Sequence, residues 1–311
     1  MLNSTKDFHQ HKLNTLGWEL TVCNALHQDG TGIRKILKKD ASFGYFLFDH
    51  LCGFCDMDRV RNILEIGGGY GYLMRDFLDR NPSLEPVMLD ISPVLLEKQR
   101  ETLKGRRVFF REEDFLETDV STLRHFDVAI MNENLGDFPT LVDIGKEPLQ
   151  VGFDHSDPTI RKAAGFIKKY GLELPEGDLC NVNIGALEAV EKLCVSGMDL
   201  IYTGEHSCEA SPPPALRSHF DMKPSYNPER ISLMGHDEYS IRFSHLEQVA
   251  RSFGYECTRG PFADFIPLRE TDEGLRSILA SRGRYSDEGE MVYQFVEDLY
   301  KYEYLILKRT I

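Results

Sequence analysis

The sequence predicts an α/β fold: a seven-stranded, mostly parallel sheet with helices on both faces, preceded by an N-terminal helical cap and carrying an insertion after the fourth strand. Three observations predict it. From Asn62 onward, short β-branched and aromatic runs alternate with amphipathic stretches of helical length, the pattern of repeated strand-helix-strand units. The first run ends in a glycine-rich turn, Gly67-Gly68-Gly69-Tyr70-Gly71, and the second ends on an acidic residue, Asp90.

Residues 1–60 read as the helical cap, with an aromatic run at Phe43, Tyr45, Phe46 and Phe48, and residues 61–311 read as the main domain. Strands are expected at Ile63 to Ile66, Pro86 to Asp90, Val108 to Phe110, Phe126 to Met131, Leu200 to Thr203, Tyr255 to Arg259 and Tyr302 to Leu307. Ser92 followed by Pro93 marks a helix start, and Gly105 its close. Ser244 and Glu247 have capping-box spacing ahead of the apolar face Leu246, Val249, Ala250 and Phe253. Leu187, Val190, Leu193 and Cys194 form another such face. The stretch 138–181, with an amphipathic segment around Ile160 to Tyr170, is too long for an ordinary loop and reads as a substrate-side insertion. Pro212, Pro213 and Pro214 read as an irregular surface loop.

With 311 residues and 41% hydrophobic content, the chain can bury one large core. No run approaches the roughly 18 apolar residues of a membrane span, and the first ten residues lack the apolar stretch of a signal peptide. A soluble, cytoplasmic protein without a membrane partner is expected. Seven cysteines, an odd number without a disulfide framework, suit a reducing compartment. The formal charge of -14 works against binding a phosphate backbone, so nucleic acid is not an expected partner.

The segment Ile63 to Leu73 carries the most information. A strand ends at Ile66, glycines let the backbone turn and approach a ligand closely, and a helix begins near Tyr72. The dinucleotide spacing Gly-x-Gly-x-x-Gly fails, because its third glycine would fall at Tyr72. The spacing acid-x-Gly-x-Gly-x-Gly fits at Glu65, Gly67, Gly69 and Gly71. That frame belongs to class I, Rossmann-like methyltransferases and predicts S-adenosylmethionine as the only cofactor. Glu65 is expected to orient the loop or the methionine amino group. Asp90, with Ile91 beside it, is placed for the ribose hydroxyls. Asp114 is placed for the exocyclic amine of adenine, with Phe115 packing on the base.

Several segments resemble the MidA-type family of these methyltransferases. ILEIGGGYGYLMRDFL, from Ile63 to Leu78, is similar to its first motif, and LDISPVLLEKQ, from Leu89 to Gln99, to its second-strand motif. NENLGDFP, from Asn132 to Pro139, resembles the segment after the fourth strand, where the family aspartate falls at Gly136 and Asp137 follows. IYTGEH at Ile201 to His206 and the stretch His236 to Tyr255 resemble later motifs. The resemblance implies a protein methyltransferase, with arginine of a respiratory complex I subunit as the substrate of the mitochondrial branch. A small-molecule methyltransferase and a non-catalytic assembly factor that keeps the fold remain open readings.

Methyl transfer needs an in-line nucleophile in a water-poor site, so few side chains do chemistry. Asn132, Glu133 and Asp137 fall where the fourth strand ends, and Asn132 also borders the cofactor. Glu133 is the first choice, as a carboxylate that grips a guanidinium or takes its proton. Glu205 and His206, and His236 and Asp237, are further rim candidates, each more simply structural. Cys52 and Cys55, with His50 nearby, lack a second pair at zinc spacing and read as core cysteines. No metal site is expected.

Overall fold

The computed structural model describes residues 1–14, 21–151 and 155–310. Residues 15–20 of the expected cap and 152–154 of the expected insertion lie outside the described residues. The central sheet has seven strands: β1 (Asn62–Ile66), β2 (Glu85–Asp90), β3 (Phe109–Glu112), β4 (Val128–Asn132), β5 (Leu200–His206), β6 (Tyr255–Pro261) and β7 (Tyr302–Arg309). Their spatial order is β6-β7-β5-β4-β1-β2-β3. Strand β7 runs antiparallel to both its neighbours, and the remaining pairings are parallel. All seven expected strands are present.

Parallel strands covered on both faces read as continuous apolar runs, which is why they stood out. Successive side chains then enter opposite cores. Ile63, Met88, Val128, Ile130 and Tyr202 pack on one face with Phe43, Phe48 and Phe77. Leu64, Ile66, Leu89, Ala129 and Met131 pack on the other with the helix Ile184–Ser196, whose expected stripe Leu187, Val190, Leu193 and Cys194 is buried.

Several boundaries moved for identifiable reasons. Strand β4 starts at Val128, and just before it the Asp127 carboxylate accepts the N–H groups of Arg61 and Asn62, at 2.9 and 2.8 Å. Strand β5 runs on to His206, which pairs with Tyr302 of β7, and this carries Glu205 and His206 into the sheet. Ser92 caps the helix Pro93–Thr102 as expected. The capping box at Ser244 does not form. The helix Phe243–Ser252 begins two residues earlier, with Arg242 at its N-cap, and Ser244 donates its N–H to the Glu209 carboxylate at 2.8 Å. Glu247 pairs with Arg251 instead.

The segment expected as an insertion holds the strand Thr140–Gly145, the helices Lys146–Val151 and Pro158–Tyr170, and the strand Leu179–Val182. The two strands pair antiparallel, and Leu2–Asn3 adds on the other edge of Thr140–Gly145. The described part of the first 60 residues is therefore not purely helical. A second small hairpin joins Arg230–Ser232 to Asp237–Tyr239. Cys52 is a correction. It is the exposed C-cap of the helix Phe43–Leu51, whereas Cys55 is half-buried and packs against the core beside Met57. No described helix is long and apolar enough to cross a membrane.

Candidate active site

The site lies at the carboxyl ends of β1, β2, β4 and β5, beside the point where the sheet order reverses between β1 and β4. Such crevices bind ligands because no strand connection crosses them. Here Asn134 bridges the gap by donating from Nδ2 to the Ile66 carbonyl, at 2.5 Å. A cavity of about 510 Å³ opens there, within the size range of small-molecule sites.

Strand β1 hands over to the glycine turn at Gly67, whose N–H donates to the Leu89 carbonyl of β2 at 2.9 Å. Gly67 has φ +66°, and a Cβ there would stand 2.4 Å from Asn134 Nδ2. Gly71, at φ +80°, takes the left-handed conformation just ahead of the helix Tyr72–Arg80. Glu65 sits behind this turn, 2% exposed, and its Oε2 is buried without a hydrogen-bond partner. Burial above all, then the charges of Asp90 and Asp76, push its pKa up to about 8. A buried carboxylate oxygen without a donor is costly. The ammonium of a bound methionine moiety supplies both the donor and the opposite charge, so this residue fits S-adenosylmethionine.

Asp90 ends β2 facing the cavity, and its two oxygens accept from the Ser92 N–H and Gln99 Nε2, each at 2.9 Å. Each oxygen keeps a further lone pair, and the bonds hold the carboxylate in one orientation. Gln99 also donates to the Gly69 carbonyl at 3.1 Å, tying the turn to the acid. Ile91 lines the cavity beside it. Asp114 also lines the cavity, where one oxygen accepts the Leu116 N–H at 2.9 Å and the other meets Lys6 Nζ at 2.8 Å. Phe115 is 2% exposed and packs largely into the core, with its edge toward Phe138.

At the reacting end, Asn132 Nδ2 donates to Glu133 Oε1 at 2.9 Å, and Asn132 Oδ1 accepts from Tyr202 at 3.0 Å. Glu133 has φ +54°, and its carboxylate accepts the N–H groups of Val22 and Cys23. Burial pushes its pKa up to about 8, against the pull of the Cys23 N–H and with help from Glu205. Glu205 is 3% exposed and accepts the Gly136 N–H at 3.1 Å. Asp137 turns instead to His9 Nε2, at 2.8 Å. His206 lines the cavity beside Tyr302, and His236 stacks on Phe8. Asp237 does not reach the rim. It pairs with Arg230, and strand alternation turns Glu238 to the cavity instead.

The structure thus brings Glu65, Gly67, Gly69, Asp90, Ile91, Asp114, Phe115, Asn132, Glu133 and Asp137 to one cavity. Lys6, His9, Gln99, Tyr202, Glu238 and Asp298 also stand at or behind it; Gln99, Tyr202 and Glu238 fall within segments of the family resemblance, and Lys6, His9 and Asp298 carried no sequence signal.

Residues 64–147 match the family model of a methyltransferase domain. A protein from Burkholderia thailandensis, solved with bound S-adenosyl-homocysteine, is similar at 16% identity, with 86% of this chain and 76% of that chain covered and a TM-score of 0.53. A second protein of the same superfamily and organism shows 16% identity, 86% and 79% coverage and a TM-score of 0.54. No curated protein matches the chain. The fold is that of the class I, S-adenosylmethionine-dependent methyltransferases, and the match to a methyltransferase domain falls on the segment that carries the glycine turn. Within that class the chain is similar, at low identity, to members of the MidA-like superfamily, in line with its motifs.

Proposed function

We propose that this methyltransferase modifies a basic protein side chain, with arginine the acceptor that the family resemblance implies. The observation that carries this reading is the charge of the cavity: Glu133, Glu205, Glu238 and Asp298 line the space shared with the glycine turn. Four acidic side chains suit a cationic acceptor and disfavour an anionic one. The N-terminal 60 residues and the 138–181 segment then shape the acceptor side. Seven free cysteines support a reducing, cytoplasmic setting.

Bound S-adenosylmethionine supplies an electrophilic methyl on a sulfonium. The chain's own residues position the partners: Glu65 for the amino group, Asp90 for the ribose hydroxyls and Asp114 for the adenine amine. Asn132 holds the Glu133 carboxylate, which uses its one remaining lone pair, on Oε2, to aim the acceptor nitrogen. As the nitrogen gains the methyl, it sheds one N–H proton to that carboxylate.

A small-molecule acceptor is the second reading, because Ser4 to Lys6, His9 and Thr21 cover part of the cavity. Incubating the protein with radiolabelled S-adenosylmethionine and host lysate separates the readings. A labelled protein band supports the first, label confined to small molecules the second. Cofactor binding without any labelled product overturns both and leaves an assembly factor.

A further inference from the structure

One cluster on the cavity wall has no part in the methyl transfer described above. His9, Asp137 and His236 each offer one ligand atom, and these atoms lie within 4.8 Å of one another. The residues arrive from the helix Lys6–His11, the 3-10 turn Leu135–Asp137 after β4, and the loop before the hairpin strand Asp237–Tyr239. Asp137 Oδ1 stands 2.8 Å from His9 Nε2 and 3.8 Å from His236 Nε2. Two ligands at 2.0–2.1 Å from one tetrahedral ion are about 3.3 Å apart, and the two separations straddle that value. An ordinary hydrogen bond accounts for the first approach but not for the second. A fourth donor is at hand, since Glu238 Oε1 is 3.1 Å from the same His236 Nε2.

We propose that His9, Asp137 and His236, with Glu238 as fourth donor, bind a divalent transition-metal ion of the zinc class. Two imidazoles with carboxylates select such ions over magnesium or calcium, which prefer all-oxygen shells. The His236 ring is held in place by stacking on Phe8, with centroids 4.2 Å apart, and not by a hydrogen bond to its buried Nδ1. His9, Asp137 and Glu238 line the cavity that also holds Glu133, so the ion borders the acceptor space. Four protein donors close a tetrahedral shell, so the ion's role there is structural. It also ties the first helix to the sheet.

The test uses the full chain, stripped with a chelator and titrated with Co²⁺ and then Zn²⁺. One equivalent of Co²⁺ binds, with the visible bands of a nitrogen and oxygen site and no thiolate charge-transfer band. Zn²⁺ displaces it and raises the melting temperature. His236→Gln lowers the Co²⁺ affinity by at least about tenfold, with S-adenosylhomocysteine binding retained as evidence of folding. Cys52→Ser leaves the titration unchanged. The proposal is overturned by any of three results: no stoichiometric binding, a thiolate band that places the ion on cysteine, or wild-type affinity in His236→Gln. If that variant does not fold, the wild-type Co²⁺ spectrum together with His9→Gln decides the matter in the same terms.

Discussion

The carboxylate of Glu133 accepts the backbone N–H of Cys23 at 3.0 Å, so the acid at the reacting end of β4 also holds a helix turn 110 residues earlier in the chain. A glutamine removes the charge and keeps one acceptor oxygen, so it retains the anchor to one of the two N–H groups and loses the base. Glu133→Gln is expected to slow single-turnover methyl transfer by about 100-fold or more, with a much smaller change in S-adenosylhomocysteine affinity. A loss of only a few-fold assigns Glu133 to anchoring alone.

Acidity at the same residue gives a pH dependence. With its pKa raised to about 8, chiefly by burial, the Glu133 side chain is mostly protonated at neutral pH. Only the ionised form can grip a cation or take its proton. The kcat/KM profile should therefore climb with pH and level off above about 8, and Glu133→Gln should flatten it. A flat wild-type profile over that range counts against the assignment.

The turn itself is tested at Gly69, whose φ of +52° lies in the left-handed region. A β-branched residue there costs about 1–2 kcal/mol and misplaces the turn. Gly69→Val is expected to abolish S-adenosylhomocysteine binding by calorimetry while the circular dichroism spectrum stays native. Unchanged binding would place the cofactor elsewhere.

For the adenine end, Asp114→Asn keeps an acceptor for the Leu116 N–H and presents an amide to the exocyclic amine. Loss of a charged acceptor weakens S-adenosylhomocysteine by about tenfold or more. Full affinity in the variant removes Asp114 from the adenine site and leaves it as the partner of Lys6.

Glu65 links cofactor binding to stability. Its folded pKa is raised from 4.5 to about 8, so the fold favours the protonated acid. Its contribution is full below about pH 4.5 and is lost as pH rises through about 8. Without ligand, the melting temperature should fall across that window. Glu65→Gln should remove part of the fall, and S-adenosylhomocysteine should offset it in the wild type. An identical slope in the variant refutes this account of Glu65.

What could be read in advance follows the range of the interactions. The seven strands were legible because both-face burial writes apolar runs into contiguous residues. The turn from Glu65 to Gly71 was legible because its spacing is local. Ser244 shows the limit of a local rule: its spacing suits a capping box, yet Glu209 supplies the acceptor and the helix starts at Phe243. Asp237 and Glu238 show another, since only the hairpin's register decides which of two adjacent acids faces the cavity.

The sequence by itself determined the sheet and the glycine turn with its strand-end acid beside one cavity, because glycine spacing and strand-end acids act through neighbouring residues. Only the tertiary structure decided the acceptor half. There Glu133 meets Val22 and Cys23, and Asp137 meets His9 and His236. Those partners lie far apart along the chain, and no local pattern encodes a contact that exists only once the N-terminal segment packs across the strand ends.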